Sequence, residues 1–159
     1  MGLLLILLFR AFSPGLSINL ALPNALPPVD GLTLRRTAGT IFSTRFVALV
    51  ADQEIGVCEC ETDMTQGGTL PALQGWGELS EPEVNAIWRN RGIGTWLVRQ
   101  AVAWHQLGGG DRIILVVTPD DEAAGAERFY QRLGWQVLVR QRKGWRWEDH
   151  LVAKAPEIV

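Results

Sequence analysis

The stretch Trp88-Arg89-Asn90-Arg91-Gly92-Ile93-Gly94-Thr95-Trp96-Leu97 joins the end of a polar strand to the start of an amphipathic helix, and its reading decides the fold. Ile93, Trp96, Leu97, Ala101 and Trp104 recur at helical spacing, and Gly108-Gly109-Gly110 stops the helix. A helix N-terminus carries unsatisfied backbone N–H groups and the positive end of the helix dipole. Gly92 and Gly94 lack a Cβ and let a ligand approach the backbone, while Arg89 and Arg91 add charge and planar donors. Together these features predict a seat for a diphosphate.

Upstream of this turn, residues 75–84 read as a strand that carries Glu78, Glu81 and Glu83, a high density of carboxylates for a strand. A solvent-facing edge and a source of a catalytic base are both consistent with it. Residues 45–51 and 54–62 form a hairpin around Asp52-Gln53, with Glu59 and Glu61 assigned to its wet face. Residues 63–74, with Gly67, Gly68 and Pro71, make a loop long enough to border a substrate site.

Downstream, residues 112–118 are a continuous apolar run, as expected of a strand buried on both faces. A helix joins it to the strand before the turn, so the two strands should be parallel. Pro119-Asp120-Asp121 opens a second helix with Ala126, Phe129, Tyr130 and Leu133 on its apolar face, closed by Gly134. Two final strands, residues 136–142 and 146–154, flank Lys143-Gly144. The alternation of strands and helices predicts an α/β fold, a mixed sheet flanked by helices.

Composition narrows the function classes. A chain of 159 residues with 47% hydrophobic content fits one compact domain. A formal net charge of −2 argues against a nucleic-acid partner held by a broad basic surface. Cys58 and Cys60, two positions apart on one strand, are badly placed to bridge, which favours a reducing, cytoplasmic setting. No metal is expected, because the two histidines lie far from that Cys-x-Cys pair in sequence.

The first forty residues say least. Residues 1–9 are an apolar run followed by Arg10, well short of the roughly 20 residues of a membrane helix. It lacks a basic region ahead of the apolar run and a clear small-residue cleavage site, so it reads as a buried helix or strand of the domain, with no membrane partner. Pro14, Pro23, Pro27 and Pro28 exclude a long helix over residues 13–30, and residues 32–36 alternate like a short strand. Residues 1–43 are therefore an N-terminal segment of the same domain, and residues 44–159 its core.

Arg89-Asn90-Arg91-Gly92-Ile93-Gly94 fits the Gln/Arg-x-x-Gly-x-Gly/Ala motif of the GNAT acetyltransferase superfamily, with Val84 five residues ahead of the arginine. Residues 126–135, Ala-Glu-Arg-Phe-Tyr-Gln-Arg-Leu-Gly-Trp, look like the superfamily's second motif. Two motifs in this order, separated by a helix and a buried strand, make the chain resemble a GNAT enzyme over residues 44–154. A dinucleotide-binding Rossmann site lacks its third glycine and an acidic residue at Val117-Thr118.

The resemblance implies a sheet whose central parallel strands splay apart, with the pantetheine arm of acetyl-CoA pairing at Val84 and the diphosphate resting on Arg89, Asn90, Arg91, Gly92, Ile93, Gly94 and Thr95. It implies acetyl transfer to a primary amine, small-molecule or peptide, in a ternary complex, with a homodimer among the assemblies seen in relatives. An alkylamine with a pKa near ~10.4 must lose a proton before it attacks, which calls for a base. By likeness Glu78 is that base, with Glu81 and Glu83 as alternatives if a β-bulge reorders the strand. Tyr130 is the acid that protonates the leaving thiolate.

There are departures: Ala123 stands where many relatives have asparagine, and Ala86 replaces the usual proline. Trp96 and Trp104 are expected in the core, and Trp76, Trp145 and Trp147 are candidates for an acceptor pocket. Cys58 and Cys60 lie away from both motifs, which argues against a cysteine nucleophile. A non-catalytic acyl-CoA-binding module is the second reading.

Overall fold

The computed structural model describes residues 3–10, 26–39, 43–61, 76–110, 112–117 and 125–142. In it β1 (Leu3–Arg10), β2 (Leu32–Ala38), β3 (Ser43–Val50), β4 (Gln53–Glu61) and β5 (Trp76–Val84) precede helix α1 (Ile93–Leu107). β6 (Arg112–Val117), α2 (Ala126–Arg132) and β7 (Gln136–Arg142) follow. The strands form one sheet in the order β2-β3-β4-β5-β6-β1-β7. Among the described residues only β5 and β6 pair in parallel, and the other neighbours are antiparallel. This is the mixed α/β architecture that the sequence predicts. The expected strand at 146–154 and the loop at 63–74 lie outside the described residues.

Local chemistry explains the hairpin of β3 and β4. Val50 pairs with Gln53, so the connection is Ala51-Asp52, one position earlier than the sequence reading. Both residues have positive φ, 49° and 62°, as a tight two-residue turn of matching twist requires. Alternation then sends Phe46, Ala48, Cys58 and Cys60 into the core cluster, where Leu79, Leu97, Ala101, Leu115 and Tyr130 meet them. Helix α1 lies over β3, β4 and β5 on this face. Trp96 is in the cluster, and Trp104 is half-buried against it under Arg36, whose Cζ is 4.3 Å from the ring centroid. Val47, Leu49, Trp76 and Ile114 are buried among the alternate positions.

The end of α1 is fixed to the next strand. Gly109, at φ 91°, turns the chain, and the His105 ring nitrogen Nε2 lies 2.8 Å from the Arg112 carbonyl. That contact sets where β6 begins.

β1 resolves the open reading of the N-terminal apolar run: Leu3–Arg10 is a strand. It pairs with β6 from Leu5↔Val117 to Arg10↔Arg112 and with β7 from Leu3↔Arg142 to Leu8↔Gln136. The N-terminal strand therefore sits inside the sheet and is the link that carries β7. Proline at Leu7, which faces Leu115 on one side and Val137 on the other, removes an N–H from this ladder and leaves an acceptor unmet. Leu7→Pro is expected to destabilise the fold by about 1–3 kcal/mol or more, read as a fall in the urea midpoint. An unchanged midpoint would contradict the pairing.

Candidate functional site

The site is built where β5 and β6 part. Their parallel pairing is confined to Trp76↔Arg112, Gly77↔Ile113 and Glu78↔Ile114. Beyond it β5 continues along β4, and β6 continues along β1. From Glu78 to Val84 the edge of β5 that faces β6 is thus released from ladder bonding over about 20 Å of extended chain. Backbone groups released in this way need a partner from elsewhere.

A β-bulge adjusts the same stretch. Glu59 pairs with Ser80 and Val57 with Glu83, so Glu81 and Pro82 together oppose Cys58. Pro82 has no N–H to lose, which suits this position. The extra residue reverses the alternation beyond it. Val84 therefore points toward α1, where a Cβ built on Gly56 would lie 3.4 Å from Val84 Cγ2 and 3.3 Å from Leu97 Cδ1. Glu83 returns to the face of Glu78.

The turn after β5 is held at several points. Asn85 donates its backbone N–H to Ile55 at 2.9 Å and its side-chain amide to Glu54 at 3.2 Å, both to carbonyls of β4. A 3-10 turn spans Ala86–Trp88. Asn90 has φ 59° and Gly92 φ 82°, left-handed conformations that asparagine and glycine tolerate best. A Cβ on Gly92 would also come within 3.2 Å of Pro28 Cβ, so the glycine is required twice over. Pro28 as a neighbour of this turn has no signature in the sequence.

α1 then starts without a side-chain cap and without an acidic residue in its first turn. An N-terminus of this kind has the N–H groups and the dipole end that suit an anion. Both arginine side chains are engaged locally. Arg89 Nε donates to the Val84 carbonyl at 2.9 Å, and Arg91 Cζ lies 5.1 Å from the centroid of Trp88. The groups of residues 89–95 that the helix start presents are the main-chain N–H groups around Gly92, Ile93, Gly94 and Thr95.

The second motif meets the first at Gly94. A Cβ there would touch Phe129 Cζ at 3.8 Å and Val84 Cγ2 at 3.9 Å. Phe129, which the sequence places on the apolar face of the second helix, is the α2 residue beside the start of α1. Tyr130 is fully buried at 0% exposure, edge-on to Phe129 and to Trp135 with centroid separations of 4.9 and 5.4 Å.

The carboxylates differ in environment. Glu78 is half-buried at the fork, and burial, then the Glu61 carboxylate, raises its pKa above the ordinary glutamate value. Glu83 is exposed, and the side chain of Glu81 lies outside the described residues. Glu59 and Glu61 do not form the simple wet face expected of them. Both are half-buried, Glu59 accepts a hydrogen bond from the Ser43 hydroxyl, and Glu61 stands opposite Glu78 across the strand pair. That placement was not countable from sequence, because the β4–β5 register runs through the long segment at 62–75.

Trp76 is a correction. It is 1% exposed, with Arg112 Cζ 5.5 Å from its ring centroid, so it is packed and does not form an open pocket wall. Trp145 and Trp147 lie outside the described residues. Cys58 and Cys60 are free and buried, and burial pushes both thiols up, Cys60 to about 12. Thiols so strongly protonated are poor nucleophiles at neutral pH. Among the described residues no group of three or more His, Cys, Asp or Glu is placed to hold a metal ion, and no helix is long and apolar enough to cross a membrane.

The comparisons with known proteins agree with this fold. A family profile described as "Acetyltransferase (GNAT) domain" matches residues 42–137. The chain belongs to the GNAT acetyltransferase domain family. Its fold is similar to that of a GCN5-related N-acetyltransferase from Sphaerobacter thermophilus, at TM-score 0.62 and 17% identity over 87% of this chain and 49% of that one. It is also similar to a functionally unknown conserved protein from Staphylococcus epidermidis, at TM-score 0.54 and 17% identity over 86% and 57%. A GCN5-related N-acetyltransferase from Kribbella flavida gives TM-score 0.51 and 17% identity over 87% and 58%. The chain thus spans about half to three-fifths of the length of these structures. No curated protein matches it.

The position of Glu78 has a thermodynamic consequence. Its raised pKa means that the folded chain binds this proton more tightly than the unfolded chain does. The resulting stability is fully present below the unfolded carboxyl value near ~4.3 and is lost as pH rises through the higher folded value. Glu78→Gln removes the charge and is expected to raise the denaturation midpoint relative to the parent at pH 8, with no gain at pH 4 or below. An equal change at both pH values would contradict the raised pKa.

Proposed function

We propose that the chain is an N-acetyltransferase that moves the acetyl group of acetyl-CoA to a primary amine by direct attack in a ternary complex. The observation that carries this reading is the fork itself. A half-buried glutamate stands where β5 and β6 part, and the uncapped, glycine-lined start of α1 stands at the other end of the released strand edge. The backbone N–H groups of Gly92, Ile93, Gly94 and Thr95 take the diphosphate, with Arg89, Asn90 and Arg91 shaping the turn. The pantetheine arm pairs with the free edge of β5 up to Val84, whose carbonyl keeps one lone pair beside the Arg89 bond.

In this reading Glu78 takes the proton from the ammonium form of the acceptor. The neutral nitrogen attacks the thioester carbonyl carbon, the C–S bond breaks, the departing thiolate takes a proton from the Tyr130 hydroxyl, and the second proton that the nitrogen sheds as the amide forms restores that hydroxyl. A backbone N–H of β5 at or beside Val84 meets the carbonyl oxygen as it becomes negative. The buried, protonated state of both cysteines supports direct transfer over a cysteine-bound acetyl intermediate. The acceptor is an amine on a small molecule or a peptide.

The test is consumption of acetyl-CoA with release of free thiol across a panel of primary amines. Glu78→Gln is expected to lower kcat by about 10²–10⁴-fold and Tyr130→Phe to lower it less, each with CoA affinity close to that of the parent. Since Glu78 acts as a base, turnover should fall as pH drops through its raised pKa. Variants that turn over like the parent would remove these residues from their roles. Tight CoA binding without turnover on any amine would favour the acyl-CoA-binding module.

A further inference from the structure

Glu61 is the side chain that the proposed reaction leaves unused. It is the last residue of β4 and pairs directly with Glu78, on the same face of the sheet. Directly opposed residues of an antiparallel pair have Cβ atoms about 4.5–5.5 Å apart, and like charges at that separation repel. The backbone here is closely packed. A Cβ on Gly77 would lie 2.9 Å from the Glu61 carbonyl oxygen and 2.8 Å from His105 Cε1, so the strand at Glu61 is pressed against the glycine that precedes Glu78. A chain bent on stability alone would not put two acids in this register.

We propose that Glu61 is a positioning residue that acts through Glu78: its carboxylate, fixed across the strand pair, makes Glu78 the proton acceptor of the site and draws the ammonium form of the acceptor toward it. The inference rests on the reading of Glu78 as the base, and it specifies an acceptor that arrives as a cation. The half-buried setting of Glu78 and the direction of its titration support it. The other ionisable groups around Glu78 do not replace Glu61. Cys60, on β4, is a protonated thiol, and Glu59 is tied to Ser43. Glu83 is exposed beyond the bulge, and Arg112, on β6, is in register with Trp76, with its Cζ 5.5 Å from the centroid of that ring. Ile114, the β6 partner of Glu78, carries no charge.

The experiment follows the Glu78 carboxyl by 13C NMR titration in the parent, Glu61→Gln and Glu61→Asp, together with the pH profile of kcat/KM. Glu61→Gln is expected to shift the Glu78 titration midpoint down toward the ordinary glutamate value, and the acid limb of the rate profile with it. Glu61→Asp, which keeps the charge, should restore most of the parent's midpoint. A role in folding alone would move the denaturation midpoint and leave the titration in place. An unmoved Glu78 titration in Glu61→Gln overturns the inference, as does an acid limb that shifts without it. The titration needs no acceptor amine, so a chain that acetylates nothing refutes the proposed function, while the coupling of Glu61 to Glu78 is still measured.

Discussion

Two parallel strands that start side by side and then separate create the constraint on which the rest of this molecule depends. β5 and β6 share three residue pairs and then part, each kept in place by its outer neighbour. The parting is affordable because β4 and β1 supply one complete ladder each, so neither strand loses its place in the sheet. The His105 contact to Arg112 and the interior position of β1 hold β6, while the Asn85 bonds to Glu54 and Ile55 hold the far end of β5. The exposed backbone between them is the consequence, and a binding edge is what such backbone offers.

Electrostatics divide the fork into two ends of opposite character. At the α1 end the helix dipole and the unpaired N–H groups favour an anion, and no carboxylate stands in the first turn to compete. At the other end Glu61 and Glu78 face each other and favour a cation or a proton. A ligand that is anionic at one end and reacts with an amine at the other meets both. Repulsion between two half-buried acids is a stability cost, and such costs concentrate where a site needs a perturbed proton affinity.

Much of this was legible in the sequence because periodicity and glycine placement are local. The α1 stripe, the apolar run of β6 and the paired glycines of the turn were enough for the parallel β5–β6 unit and the helix start beside it, and a bulge in β5 was weighed as the condition that would reorder its glutamates. What was not legible depends on register and on distant partners. The apolar run at the N-terminus has no period that assigns it a place, and only pairing with β6 and β7 makes it an interior strand. Glu61 looked like one more solvated acid, since its partner is set by a strand that follows a long intervening segment. Pro28 beside Gly92, and the burial of Trp76, are tertiary contacts with no local pattern.

The most direct test of the account is amide hydrogen exchange of the chain with and without saturating coenzyme A. The account predicts new protection at the first N–H groups of α1, residues 92–95, and along residues 79–84 of β5, with β2 and β3 unchanged. Protection confined to other segments, or binding that leaves both stretches exchanging as before, would contradict it.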